Sequence, residues 1–107
     1  MNKEIAAAWL LRNAPFEDLV IDVPKTQGEL RIHVKHSKKR GLFVHGFKPN
    51  SLAQEQGKLL EGDELLAVDG IDMRGKALPA LVSALRYHDQ NSVNIKVRRH
   101  KYKGVEL

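Results

Sequence analysis

The chain has no cysteine among its 107 residues. Disulfides and thiolate metal sites are thereby excluded, and the expected setting is a reducing one such as the cytoplasm. Long hydrophobic runs are also missing. The longest near the start, Ile5 to Leu11, is too short to span a bilayer and follows Glu4 without a small-residue cleavage site, so it reads as part of the protein. Aromatic residues make up only 6% of the chain, and none is interleaved with the basic cluster Lys35, Lys38, Lys39, Arg40, so nucleic acid is not an expected partner. Catalytic constellations are absent too. Ser37, Ser51, Ser83 and Ser92 lack a Gly-x-Ser-x-Gly setting, and His33, His36, His45, His88 and His100 lack metal-helix spacing. Gly57, Gly62 and Gly70 form no phosphate loop, and the carboxylate pairs Glu55 with Asp63 and Asp69 with Asp72 read as surface or turn chemistry. No enzyme, cofactor or metal site is expected.

A chain of this length makes one domain, which removes roughly 60 to 70% of its unfolded surface from water, enough for one core without staples. The formal charge is +5, with the excess mainly in two clusters. Lys35, Lys38, Lys39 and Arg40 form the first, and Arg98, Arg99, Lys101 and Lys103 the second. Such clusters attract acidic proteins or lipid headgroups over a range that salt shortens.

Glu4 to Arg12 is rich in Ala and Leu, and Asn13-Ala14-Pro15 ends it, which predicts an N-terminal helical extension over residues 1–14 with Ile5, Ala8 and Trp9 on one face. From Leu19 the period changes to two. Leu19, Ile21 and Val23 alternate as a half-buried strand requires, Leu30-x-Ile32-x-Val34 repeats the pattern, and Leu42 to Phe47 continues it. Asn50 or Ser51 can cap a short helix to Gln56, with Ser51 and Gln54 at capping-box spacing. Glu64 to Val68 and Ile71 to Met73 read as strands, Leu78 to Tyr87 as the main helix with Pro79 in its first turn, and Val93, Ile95 and Val97 as a last strand before the basic tail.

The segment Gly57 to Gly70, GKLLEGDELLAVDG, carries the most information. Gly57 can end a helix, Gly62-Asp63 can turn the chain, and Asp69-Gly70 can reverse it after a strand. The order Gly57, Leu59, Gly62, Asp63, Leu65, Val68, Asp69, Gly70 resembles PDZ domains, the peptide-binding modules of eukaryotic signalling and scaffold proteins. The resemblance runs from about Phe16 to Arg99. It implies an α+β fold: a small, bent antiparallel sandwich or partly open barrel of five to six strands capped by two helices, over residues 15–99. Residues 100–107 would then be a basic tail.

That resemblance also implies a mechanism, capture of a partner's free C-terminal end by strand addition beside the long helix. In the family, backbone amides of a variable, apolar, Gly, apolar loop bind the terminal carboxylate. The best match here is Glu29-Leu30-Arg31-Ile32, which puts Arg31 where glycine usually stands. The shifted register Gln27-Gly28-Glu29-Leu30 also lacks the glycine and removes Leu30, Ile32 and Val34 from the alternating positions, so the first register is preferred. A glycine-dependent backbone would strain Arg31 by on the order of 1 kcal/mol. Leu30, Arg31 and Ile32 are thus the expected carboxylate-binding residues, with Lys25 and the Arg31 side chain as counter-ions.

Val34, Leu78, Val82 and Leu85 are the expected side-chain pocket. Leu78 takes the place where the family's histidine accompanies partners with Ser or Thr two residues before their end. An apolar wall cannot satisfy a buried hydroxyl but gains about 0.8 kcal/mol per buried methylene, so the expected motif is Φ-x-Φ-COOH, Φ being a large apolar residue. His33 and Lys35 should flank the peptide and favour acidic residues. The chain's own end, Gly-Val-Glu-Leu, fits that motif through Val105 and Leu107 and would permit head-to-tail self-binding. Two rival expectations are phosphoinositide or other polyanion binding through the basic clusters, and an assembly domain that binds no peptide.

Overall fold

The computed structural model describes residues 16–39 and 41–100. The expected N-terminal helix, Arg40, Lys101, Lys103 and the Val105–Leu107 terminus lie outside them. In chain order the elements are β1 (Phe16–Pro24), β2 (Ile32–Ser37), β3 (Gly41–Phe47), α1 (Leu52–Gln56), β4 (Glu64–Val68), β5 (Ile71–Asp72), α2 (Leu78–Leu85) and β6 (Ser92–His100). The strands make one antiparallel sheet in the order β1-β6-β4-β3-β2, with β5 added to β4. The fold is the expected α+β arrangement, and the sheet stays open: β1 and β2 lie at its two ends.

Alternation sets the core. Ile21 and Val23 of β1, Leu42 and Val44 of β3, and Val93, Ile95 and Val97 of β6 are buried, with Leu59, Met73 and Leu81 packed among them. β4 departs from strict alternation because both Leu65 and Leu66 are buried. The register against β6 slips between Leu65 and Ala67, so a bulge at Leu66 leaves two successive leucines buried, of which Leu65 belongs to the central core and Leu66 does not. α1 starts and ends on local chemistry. The Ser51 hydroxyl accepts from the Gln54 N–H at 3.2 Å, and Gly57 closes the helix at φ 75°, a left-handed conformation that a side chain would strain.

Asp63 ties the sheet together. Its carboxylate is buried, accepts from the Leu60 N–H at 2.9 Å, and forms a bidentate pair with Arg99 at 2.9 and 2.7 Å. Arg99 Nη2 also donates to the Lys58 carbonyl at 2.6 Å, while Val44 N–H donates to the Asp63 carbonyl at 2.8 Å. One residue therefore joins the turn before β4 to both β3 and β6. The hydrogen bond from Arg99 to Asp63 holds the guanidinium further above its usual range.

Next to it, Arg98 pairs with Asp18 at 3.0 Å across β6 and β1. Two members of the second basic cluster are thus neutralised by carboxylates, and Asp63, read from sequence as surface or turn chemistry, is a buried ion-pair partner as well as a turn residue.

Replacing Asp63 by Asn should cost about 3 to 5 kcal/mol, because Arg99 is left half-buried without its counter-charge. Urea unfolding of the two proteins measures this; a loss below about 1 kcal/mol would show the pair to be dispensable. The Asp18 carboxyl is held below its ordinary value, chiefly by the hydrogen bond from Arg98. Its contribution is therefore complete above the unfolded value near pH ~4 and disappears as pH falls through the lower native value. Both partners are about two-fifths exposed, so solvent screening keeps the term within roughly 1 kcal/mol. In an acid titration of stability, Asp18→Asn should flatten this limb and leave the curve above pH ~5 parallel to that of the unmodified protein.

Candidate functional site

β2 is hydrogen-bonded to a strand on one side only, and α2 packs beside it. Its exposure follows the expected alternation, with Ile32 and Val34 half-buried against the core and His33 and Lys35 exposed. His45 of β3 has no partner opposite and bulges, since His33 faces Gly46 while Val34 faces Val44.

The loop into β2 is shaped by residues 26–31. Thr26 and Glu29 exchange backbone hydrogen bonds at 2.7 and 3.0 Å and close a tight turn in which Gln27 and Gly28 have positive φ. Leu30 then buries its side chain in the core. Arg31 sits at φ 53°, the left-handed conformation expected from the glycine it replaces. Its carbonyl accepts from Lys48 N–H at 3.1 Å, which by antiparallel alternation turns the Ile32 N–H outward to the free edge. Neither the Leu30 nor the Arg31 N–H has a partner among the described residues.

The Arg31 side chain is otherwise engaged. Nη1 donates to the Pro49 carbonyl at 3.0 Å and Nε lies 3.5 Å from the Glu29 carboxylate, so the guanidinium clamps the loop to the chain following β3. Lys25, the other expected counter-ion, donates from Nζ to the His88 carbonyl at 2.9 Å, beyond the end of α2.

On α2, Leu78, Val82 and Leu85 share a face by spacing, and Leu81 turns into the core. Leu78 is 42% and Val82 57% exposed, whereas Leu85 is half-buried against the core. The helix stops at Leu85, short of the expected Tyr87. Beyond it, His88 donates from Nε2 to the Asp69 carboxylate at 2.7 Å, and Asp69 also accepts from the Asn94 N–H at 2.9 Å. The far end of α2 is thereby fastened to β1 through Lys25 and to the β4–β5 turn through Asp69. Its near end has no side-chain cap at Ala77. A shallow hollow of about 530 Å³ lies on the opposite side of α2, between Ala80 and Ala84 and the Ile71–Met73 segment. Sequence reading missed the His88 fastening, which joins residues 63 and 19 positions apart, and no local pattern marks it.

The comparisons agree with this geometry. A family model described as PDZ domain matches residues 20–98. Human protein lin-7 homolog B is 28% identical over 98 residues, which cover 90% of this chain and 47% of that protein. Glutamate receptor-interacting protein 2 of Xenopus laevis is 34% identical over 82 residues, covering 74% of this chain and 8% of that protein. The chain thus spans about half the length of the lin-7 relatives it matches. Among solved structures, the PDZ domain of choanoflagellate SHANK1, bound to a GIRK3 peptide, superposes with a TM-score of 0.66 at 18% identity, covering 81% of this chain and 97% of that one. The second PDZ domain of Dlg1 from Monosiga brevicollis gives 0.63 at 22%, covering 76% and 97%.

Arg31→Gly and Arg31→Ala both remove the clamp, but only alanine keeps the unfavourable left-handed backbone. The glycine variant should therefore be the more stable of the two by about 1 kcal/mol, measured by denaturant unfolding. Equal stabilities would mean that the backbone at position 31 does not need the glycine-like conformation.

Proposed function

The chain belongs to the PDZ family, a group of non-catalytic interaction modules, and from that premise we propose that it captures C-terminal tails of the form Φ-x-Φ-COOH and tethers their owners to a larger assembly. The tail adds as a strand to the free edge of β2. Its carboxylate accepts from the Leu30, Arg31 and Ile32 N–H groups, its last residue and the third-last bury against Val34, Leu78, Val82 and Leu85, and His33 and Lys35 flank it. The observation that carries this reading is the pairing of unbonded amides at Leu30 and Arg31 with an apolar helix face left exposed at Leu78 and Val82. Half-exposed leucine and valine beside an unpaired strand edge are costly unless something covers them.

Lys25 and Arg31 serve here as fixed positive charge near the carboxylate, since each is held in place by a donor spent on a backbone carbonyl. A tail of four or five residues buries less than the ~1,200 Å² of stable interfaces, so binding is weak and reversible. Partners of this kind are tails of membrane-associated or cortical proteins, and the setting is the cytoplasmic side of that cortex. No helix among the described residues is long and apolar enough to cross a membrane.

Among the described residues the polyanion reading keeps only the lysines of its first cluster, because Arg98 and Arg99 are bound to Asp18 and Asp63. Titration with a free and an amidated Φ-x-Φ peptide separates the readings. Tail capture requires amidation to abolish binding and Leu78→Lys to weaken it at least tenfold; because Leu78 is exposed, that variant should unfold within about 0.5 kcal/mol of the original. Binding indifferent to amidation, falling steeply with salt, would support a polyanion site instead.

A further inference from the structure

From Leu30 to Gln54 the chain carries six of its 18 Lys and Arg and none of its 13 Asp and Glu, which leaves twelve cations against thirteen anions everywhere else. The whole positive excess therefore resides in one stretch, and that stretch is the β2–β3 hairpin with its two flanks. Elsewhere three arginines meet carboxylates, Arg74 with Asp72, Arg98 with Asp18 and Arg99 with Asp63, and within the stretch Arg31 meets Glu29. On the hairpin, Lys35, Lys38, Lys39 and Lys48 are exposed, and among the described residues none of them lies within ion-pairing distance of a carboxylate.

We infer that the hairpin is a second recognition surface, for an acidic segment lying about five to eight residues before the partner's C-terminus. The inference rests on the strand-addition reading. A tail paired antiparallel to β2 with its carboxylate at Leu30–Ile32 runs back along the strand toward Ser37, a rise of about 17 Å over six residues. Its residues beyond the two apolar anchors pass Lys35, then leave the sheet beside the turn, where Lys39 N–H donates to the Ser37 hydroxyl at 3.3 Å and fixes the tip that carries Lys38 and Lys39. An unneutralised cationic turn at the exit of a strand-sized groove is complementary to Asp and Glu in the emerging chain. The apolar anchors then set which tails fit. The hairpin sets which of those are held and how fast they arrive.

Three peptides test this at 50 and 500 mM salt, by fluorescence anisotropy against the unmodified chain and the double variant Lys38→Glu/Lys39→Glu. One is a six-residue Φ-x-Φ tail, the second a twelve-residue tail with the same end and Asp or Glu at the fifth to eighth positions from the terminus, the third its serine counterpart. The acidic tail should bind about tenfold tighter than the serine tail at low salt, as a few exposed ion pairs allow. That advantage should shrink to within about twofold at high salt and vanish in the double variant, while the short tail binds both proteins alike. Equal binding of acidic and serine tails, with the short tail still bound, overturns the inference and leaves tail capture standing. Silence of all three peptides overturns tail capture itself. Vesicles containing phosphatidylserine form the last arm: if the double variant loses vesicle binding and the acidic extension adds nothing, the strip serves a membrane and the inference is wrong.

Discussion

The buried pair between Asp63 and Arg99 is the constraint on which the rest of the structure depends. A carboxylate taken out of water must be fully compensated, and here two guanidinium bonds and the Leu60 N–H do so. Because Arg99 lies near the end of β6 and Asp63 just before β4, their contact fixes the last strand against the turn that begins the fourth. β6 in turn carries β1 along its whole length. The pair thus locates the middle of the sheet, and everything at its margins, β2 included, is built outward from there.

An open sheet has edges, and the two ends are treated differently. At the β1 end, the α1 helix lies alongside and Gln56 donates to the Asp22 carbonyl at 2.9 Å, which occupies part of the backbone there. At the β2 end the neighbour is α2, which brings apolar side chains instead of hydrogen-bond donors. Lys35 and its neighbours discourage a second copy of the same cationic strand from pairing with β2 while leaving the edge open to a chain of opposite charge. A short, charged edge with an apolar wall is thereby protected from indiscriminate pairing and still able to take a strand.

Much of this is legible in the residues, because local chemistry governs it. Ser51 and Gly57 bound α1, Glu64 to Val68 is the fourth strand to the residue, and the left-handed backbone at Arg31 follows from the motif position where glycine usually stands. What sequence reading misses depends on partners far along the chain. The Leu66 bulge needs the β6 register, the early stop of α2 accompanies the contacts that His88 makes with Asp69 and Lys25, and the neutralisation of Arg98 and Arg99 needs carboxylates 80 and 36 positions away. A run of like charge in sequence says nothing about which members are already paired. Here the distinction decides between two basic clusters that look equivalent as text: the described half of one is spent inside the fold, and the described lysines of the other face solvent.

The position of Arg31 shows how a residue that breaks a local rule can still fit the fold. A non-glycine residue in the left-handed region loses on the order of 1 kcal/mol to its own Cβ. The same side chain supplies a charge-assisted bond to the Pro49 carbonyl and an ion pair with Glu29, of the same order of magnitude. The loop is consequently held from two sides, by the Lys48 N–H on its carbonyl and by its own guanidinium reaching the chain after β3. Glycine would give the conformation freely but leave the loop free to abandon it. With arginine, the left-handed conformation is disfavoured locally and held by its surroundings, and under the proposed tail capture a loop so held would lose less ordering entropy on binding.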